Sequence, residues 1–457
     1  MALVAILALD IAAGLALHAY GGYRFGRAVE ELEELLGKRV DLDLSRFHRP
    51  SVPDRDNAIL GFAAAAQVIE LSRNERTDLT TAEKVPMHAW PLLPALDGGA
   101  GRPPIEFRLR NVLTRNRRAL ELLHQAAERR RSSYGLSFSG GRHSPVPNLL
   151  FALTEARLLA AEARLAFADG DEAGGLRAAR SLARLAVCLD EEHPSIFHFV
   201  AIGVEAILDR LALEAATAPE GWAARSSLHS GLAAILPAGD RSAHLEEKLL
   251  FDALERSQNV RDRRRSLPWR VVSPVWSWIQ GPLEASSILA GQRQVIKLAR
   301  RPIGRLFEDR RFSLDRHLPV AAGQEASFYE ALACQMIASE TQLARASLAL
   351  RIRGLAEGGY PERRPDLSDL RRREPFMGRL LGYRPLEDGS LRLEVEGATE
   401  ILGRIDSRPP RYDFRVRLPG PEGASGAGTE GRGERKNRFV AARRGAQAAR
   451  GSFPPRP

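Results

Sequence analysis

Two short segments carry residue types that often do chemistry in proteins. The segment EEHPSIFHF, residues 191–199, supplies two glutamates and the histidines His193 and His198, which could bind zinc or transfer protons. The two histidines are five residues apart with a proline between them, so they do not share a helical face as in H-E-x-x-H, and we expect no metal site here. The segment GLSFSGG, from Gly135, misses the nucleophile-elbow pattern G-x-S-x-G, because Ser139 stands where the second glycine belongs.

Phosphate chemistry has no signature in the sequence either, because no glycine-rich stretch has the spacing of a P-loop or of a dinucleotide fingerprint. The sequence therefore predicts no catalytic residue, no cofactor and no metal ligand. An enzyme of unrecognised type stays open as an alternative.

A basic run beside tryptophans is the candidate interaction site. Arginine and tryptophan together suit a lipid headgroup interface, a stacking site for nucleic acid or a protein contact. The alternative is that the tryptophans bind nothing and form a small satellite core under a long loop. If the segment binds anionic lipid, we expect that binding to weaken with salt. The candidate residues are Arg261, Arg263, Arg264, Arg265, Trp269, Trp276 and Trp278.

Composition and charge favour a helical protein and disfavour nucleic acid as a partner. Aromatic residues make up only 6% of the 457 residues, while alanine, leucine and arginine, which enter helices at little cost, dominate. The net charge is +10, but 57 acidic residues are interleaved with 67 basic ones over most of the chain. Only two cysteines occur, Cys188 and Cys334, so a zinc site or a disulfide framework is not expected, although a single bridge between them stays open.

The apolar run MALVAILALDIAAGLALHAY opens the chain and approaches the length of about 20 residues that a membrane span needs. Asp10 costs roughly 2.5 to 3.5 kcal/mol at the centre of such a span, and the aliphatic residues around it together return a similar amount. We therefore expect a single-pass anchor over residues 1–24 in the cell inner membrane, with the side of the body open. A cleaved signal peptide and a buried helix are the alternatives. Asp10, Gly14 and His18 share one face, which could pack on another helix.

The body, residues 25–355, shows helical periodicity with clear helix ends. A helix is predicted to end at Gly37, another to begin after the cap candidates Asp54 and Asp56, and two long helices to meet at residues 169–171. A third helix is predicted after residues 193–195, and further helices over 242–262 and 322–354. Small residues suit close helix crossings, as in tetratricopeptide-like hairpins. They are Ala160, Ala163, Ala178 and Ala186.

The C-terminal part departs from this pattern. Alternating residues around the turn Glu387–Gly389 predict a hairpin of residues 380–386 and 391–395 within a small module, residues 356–418. The remaining residues, 419–457, are glycine-rich and basic and are predicted to be a disordered tail. The predicted fold is therefore mainly α, with a transmembrane helix, an irregular helical body, a small β-hairpin and a disordered tail.

The order of features resembles a family of uncharacterised single-span bacterial membrane proteins. The resemblance covers most of residues 52–395, from VPDRDNA to the closing pattern in which Tyr360-Pro361, Pro375-Phe376, Gly378 and Tyr383 match. Glu374 stands where this family usually has an aspartate that caps a turn. The same module slightly resembles the end of type II secretion pseudopilins, which implies a local structural module and no secretion role.

The sequence gives the body no recognisable activity. We expect a membrane-anchored helical scaffold or protein-interaction protein, with the membrane contacted through the first helix and a protein partner of unknown identity. The alternatives are an enzyme of unrecognised type and a protein that binds anionic lipid or nucleic acid through the Arg/Trp segment.

Overall fold

The computed structural model describes residues 2–92, 103–136, 147–217, 226–236, 241–262, 273–308, 322–357, 359–363, 365, 373–405 and 414–420. Over these residues the chain is mainly α-helical and carries a small antiparallel sheet, as the sequence predicts. Buried apolar side chains form a continuous core that extends from Ala28 to Leu418.

Two of the connections between the described helices contain 3₁₀ turns: Leu44–Phe47 and Asp54–Asp56 lie in the first connection, and Met87–Leu92 lies in a later one. The helices are α1 (Ala2–Leu36), α2 (Ala58–Val68), α3 (Arg73–Lys84), α4 (Ile105–Arg115), α5 (Arg117–Ala127), α6 (Leu150–Ala168), α7 (Glu172–Asp190), α8 (Ser195–Thr217), α9 (Ser226–Ile235), α10 (Arg241–Asp262), α11 (Ser273–Ala299), α12 (Ile303–Leu306), α13 (Ala322–Glu357) and α14 (Ala398–Ile405).

The first helix is one continuous element, whereas the sequence predicted two separate helices in this region. It ends where predicted, because Gly37 takes the left-handed conformation (φ +67°) and its N–H donates to the carbonyl of Glu33 at 2.8 Å. The start of α2 differs from the prediction. Its cap is Asn57, whose side chain accepts from the N–H of Ile59, whereas Asp54 and Asp56 form the preceding 3₁₀ turn.

Helices α6, α7 and α8 form the centre of the body, and they begin and end close to the predicted positions. The four alanines predicted at crossing points are all buried, with at most 1% of their surface exposed. Small side chains bring the helix axes together here, because nothing larger than a methyl group separates them at these points. Helix α8 of this group packs on α13 and also contacts α10.

The expected membrane anchor is not found. Among the described residues, no helix is both long enough and apolar enough to cross a membrane. This finding overturns the predicted transmembrane helix over residues 1–24 and the single-pass inner-membrane localisation. In its described part, one face of α1 packs on α11.

The predicted hairpin is confirmed, and a third strand extends it. Strands β1 (Gly382–Pro385) and β2 (Leu391–Glu394) pair antiparallel in the register Tyr383↔Leu393. Strand β3 (Arg415–Leu418), which the sequence analysis missed, pairs antiparallel with the other edge of β2. Its four residues follow a segment outside the described residues, and the predicted tail beyond residue 420 also lies outside them.

The residues of the C-terminal pattern tie this sheet to the helices. The hydroxyl of Tyr383 donates to the carbonyl of Pro361 at 2.6 Å, and the hydroxyl of Tyr360 donates to that of Pro419 at 2.9 Å. Gly378 adopts φ +63° beside Pro302, whose Cγ would lie 2.4 Å from an added Cβ. These residues are therefore structural in this fold.

Glu374 caps the turn that contains Gly378, the role that the family resemblance gives to an aspartate. Its Oε1 accepts from the N–H groups of Met377 (2.6 Å) and Arg379 (3.2 Å). Its Oε2 accepts from the hydroxyl of Ser339 on α13 at 2.8 Å. The longer glutamate side chain thus caps the turn and also anchors it to a helix.

Candidate functional site

The Arg/Trp segment is only partly described. Arg263, Arg264, Arg265 and Trp269 lie outside the described residues, and Arg261 and Trp276 lie in α10 and α11 without described side chains. Trp278 is half-buried, and its ring stacks on that of His18 with centroids 3.9 Å apart. Binding of lipid, nucleic acid or protein by the segment stays a prediction, while Trp278 itself takes part in helix packing.

His18 has a definite role in that packing. Pro282 has no N–H, so the carbonyl of Trp278, four residues earlier in α11, lacks its helical donor. The Nδ1 of His18 lies 2.7 Å from this carbonyl oxygen. Because a carbonyl can only accept, Nδ1 carries the proton and donates. His18 thus donates a hydrogen bond to the carbonyl of Trp278, which has no helical donor because residue 282 is a proline.

Beyond this contact, α1 runs parallel to α11. An added Cβ at Gly21 would lie 3.1 Å from the Cβ of Pro282, so the two backbones approach closely there. Further along, Arg293 of α11 forms an ion pair with Glu31. Gly14, His18, Gly21, Phe25, Ala28 and Leu32 are buried or half-buried, at alternating spacings of four and three that place them on one face.

Outside its contact with α11, the first part of α1 is apolar and exposed. Five large side chains there expose between 47% and 63% of their surface, and no Asp, Glu, Lys or Arg occurs from residue 11 to residue 23. We call these five side chains the α1 face. They are Ile11, Leu15, Leu17, Tyr20 and Tyr23.

A second candidate is a buried polar cluster where α7, α8, α10 and α13 meet. The Nδ1 of His198 lies 2.5 Å from Oδ1 of Asp190, and its Nε2 lies 2.7 Å from Sγ of Cys334. The ammonium of Lys248 lies 3.3 Å from Oδ1 of Asp190 and donates to the carbonyls of Asp190 and Glu192. His198 is completely buried, and Cys334 is 4% exposed.

Two carboxyl groups adjoin this cluster. Glu330, one turn before Cys334, is 1% exposed, and its Oε1 has no hydrogen-bond partner among the described residues. Burial and, to a smaller extent, the nearby charge of Asp252 raise the pKa of Glu330 to about 8. Burial also raises the pKa of Asp252. Both groups therefore bind protons more tightly than exposed carboxyl groups.

The two histidines of EEHPSIFHF do not share a site. His193 packs against the rings of Phe47 and Phe251, with its centroid 5.1 Å from that of Phe47. In the part of the chain that the structure describes, no group of three or more His, Cys, Asp or Glu residues could hold a metal ion. The bridge that the sequence left open does not form, since Cys188 and Cys334 are both buried and neither is part of a disulfide.

The sequence analysis missed the contact between His198 and Cys334. The two residues are 136 positions apart, and each stands in an apolar helical stretch that reads as ordinary core. No local spacing signals such a contact. The sequence indicated only that His198 and Cys334 each lie on the apolar face of a helix and are therefore buried.

Comparisons with protein-family models, with curated proteins and with solved structures found no match for this chain. The family resemblance therefore stays a prediction, and function must be argued from the residues themselves.

Proposed function

We propose that the protein is a helical scaffold that assembles with a second copy of itself through the α1 face. The observation that carries this proposal is the exposed, uncharged surface that the first part of α1 leaves outside its contact with α11. A large apolar patch of this kind marks an interaction surface, because leaving it in water is unfavourable.

The size of the α1 face fits a symmetric dimer. Large side chains of this type present roughly 150 to 250 Å² each, so five half-exposed ones offer on the order of 500 Å². Two copies would bury at most roughly 1,000 Å² together, which is the lower limit for a specific interface.

The chemistry of the α1 face also suits a partner with the same surface. In a twofold dimer each patch meets its own copy, so a charged patch would face like charge. The α1 face has no charged residue and includes two tyrosines, a residue type enriched at interfaces. The charged residues that border it in the sequence, Asp10 and Arg24, limit the contact to residues 11–23.

Sedimentation analysis of the full chain tests this proposal. The wild type is expected to be a dimer, and the double variant Leu15→Gln/Tyr23→Gln a folded monomer, because both side chains are exposed in the single chain. The matched control is Leu150→Gln/Phe107→Gln, which changes two other exposed apolar side chains, 70% and 56% exposed, and should remain a dimer.

Two results would overturn the proposal. One is a monomeric wild type, including a monomer that instead binds lipid vesicles through α1. The other is a dimer that persists unchanged in Leu15→Gln/Tyr23→Gln while circular dichroism shows a folded chain.

A further inference from the structure

The Asp190–His198–Cys334 arrangement has a defined proton order. An ionised carboxylate can only accept, so Nδ1 of His198, 2.5 Å from Asp190, carries the ring proton of the neutral imidazole. Nε2 is then the acceptor, and it faces the thiol of Cys334 at 2.7 Å. The thiol of Cys334 therefore donates its proton to Nε2 of His198, while Asp190 accepts from Nδ1 of the same ring. Activated nucleophiles in enzymes have this order of nucleophile, base and carboxylate.

Lys248 supports this order. Its ammonium lies 3.3 Å from Oδ1 of Asp190, which favours the ionised carboxylate. Its bonds to the carbonyls of Asp190 and Glu192 fix its position at the end of α7. Transfer of the thiol proton to Nε2 leaves the net charge of the cluster unchanged, since it creates one thiolate and one imidazolium.

We propose that Cys334 is a thiolate nucleophile and that small hydroperoxides modify it. Burial of His198 and Cys334 restricts the reagent to small, neutral molecules. Glu330 lies on the same face of α13, and its unpartnered oxygen Oε1 offers a hydrogen-bond acceptor to such a molecule.

The reaction balances with hydrogen peroxide as the oxidant. The thiolate sulfur attacks one peroxide oxygen, an S–O bond forms, and the O–O bond breaks. Sulfur is oxidised to the sulfenic acid and the peroxide is reduced. The leaving hydroxide takes the proton from the His198 imidazolium and departs as water, so that one thiol and one peroxide give one sulfenic acid and one water.

Cys188 is the internal reference for this site. Burial raises the pKa of its thiol to about 11, so it remains protonated and unreactive at neutral pH. The two cysteines of one folded chain thus differ in the presence of a histidine base.

Peroxide treatment of the full chain, followed by a sulfenic-acid trap and mass spectrometry of both cysteine peptides, tests the proposal. Cys334 is expected to react at least about tenfold faster than Cys188. His198→Gln should slow the reaction at Cys334 by roughly 100-fold. The matched control His193→Gln, at a ring that packs on phenylalanines, should leave the reaction at Cys334 unchanged.

A pH profile keeps the test decisive if His198→Gln does not fold. Alkylation of Cys334 by iodoacetamide in the wild type should already be at its plateau at neutral pH, whereas in Asp190→Asn it should rise towards the ordinary thiol range near about 8.5. Equal slow reaction of both cysteines, or an unchanged rate and profile in the variants, would overturn the proposal.

Discussion

Glu374 and Glu330 are buried to the same degree, with 1% of their surface exposed. Glu330 is a residue of α13, and Glu374 contacts that helix through Ser339. Both oxygens of Glu374 accept hydrogen bonds, from a hydroxyl and two backbone N–H groups. Oε1 of Glu330 has no partner among the described residues. Equal burial therefore has opposite consequences: the first carboxylate holds a turn in place, and the second costs free energy whenever it is charged.

Removal of Glu374 should have the largest effect. Glu374→Ala leaves the hydroxyl of Ser339 and the N–H groups of Met377 and Arg379 without an acceptor in the interior, so we expect a loss of roughly 3 to 4 kcal/mol in the free energy of unfolding. Urea denaturation measures it. The control is Glu400→Ala, at an exposed ion pair with Arg415, which should change stability by less than about 0.5 kcal/mol. Equal effects of the two substitutions would contradict the comparison.

Replacement of Glu330 should change the pH dependence of stability. Its pKa in the folded chain, about 8, lies above the unfolded value, so the folded state holds the proton more tightly and stability falls as pH rises from about 5 to 8. We expect Glu330 to contribute a loss on the order of 3 kcal/mol over that interval, so Glu330→Gln should lose less than the wild type by about that amount.

Urea denaturation at both pH values checks this expectation. A second variant, Glu155→Gln, tests a buried carboxyl group outside the cluster, because burial also raises the pKa of Glu155 to about 8. Each substitution should remove its own part of the slope. A Glu330→Gln profile identical to that of the wild type would show that the unpartnered oxygen is solvated.

The smallest expected effect on stability concerns the carbonyl of Trp278, which accepts a hydrogen bond from His18. His18→Ala should cost about 1 kcal/mol in the wild type, but markedly less in a Pro282→Ala background, where the N–H of residue 282 again reaches the carbonyl of Trp278. A double-mutant cycle by denaturation measures this coupling. His18→Asn keeps a donor without the stacked ring, and so separates the hydrogen bond from the ring contact. Additive substitutions would exclude the proposed bond.

Local patterns predicted the parts of the fold that local chemistry decides. The end of α1 at Gly37 and the β1–β2 hairpin follow from residues a few positions apart. The cap of α2 was misplaced by one to three residues, because Asp54, Asp56 and Asn57 are all good caps and the choice between them depends on where the chain turns.

The remaining features depend on contacts between distant segments. Strand β3 exists through its pairing with β2, and its four residues alternate strictly between arginine and an apolar residue but are too few to be recognised alone. The cluster around His198 joins four helices, and Glu330 follows helical spacing like any surface glutamate. The anchor over residues 1–24 was predicted from hydropathy alone, which does not register that one face of α1 packs on α11.

The parallel packing of α1 on α11 has a consequence for biosynthesis. His18 contacts Trp278, 260 positions later. At roughly 5 to 20 residues per second, the ribosome needs roughly 13 to 50 s to make the chain between them. During that time α1 emerges without its partner helix, and its apolar surfaces are open to nascent-chain chaperones. Helix α1 is thus synthesised well before α11 and is among the last helices to complete its contacts.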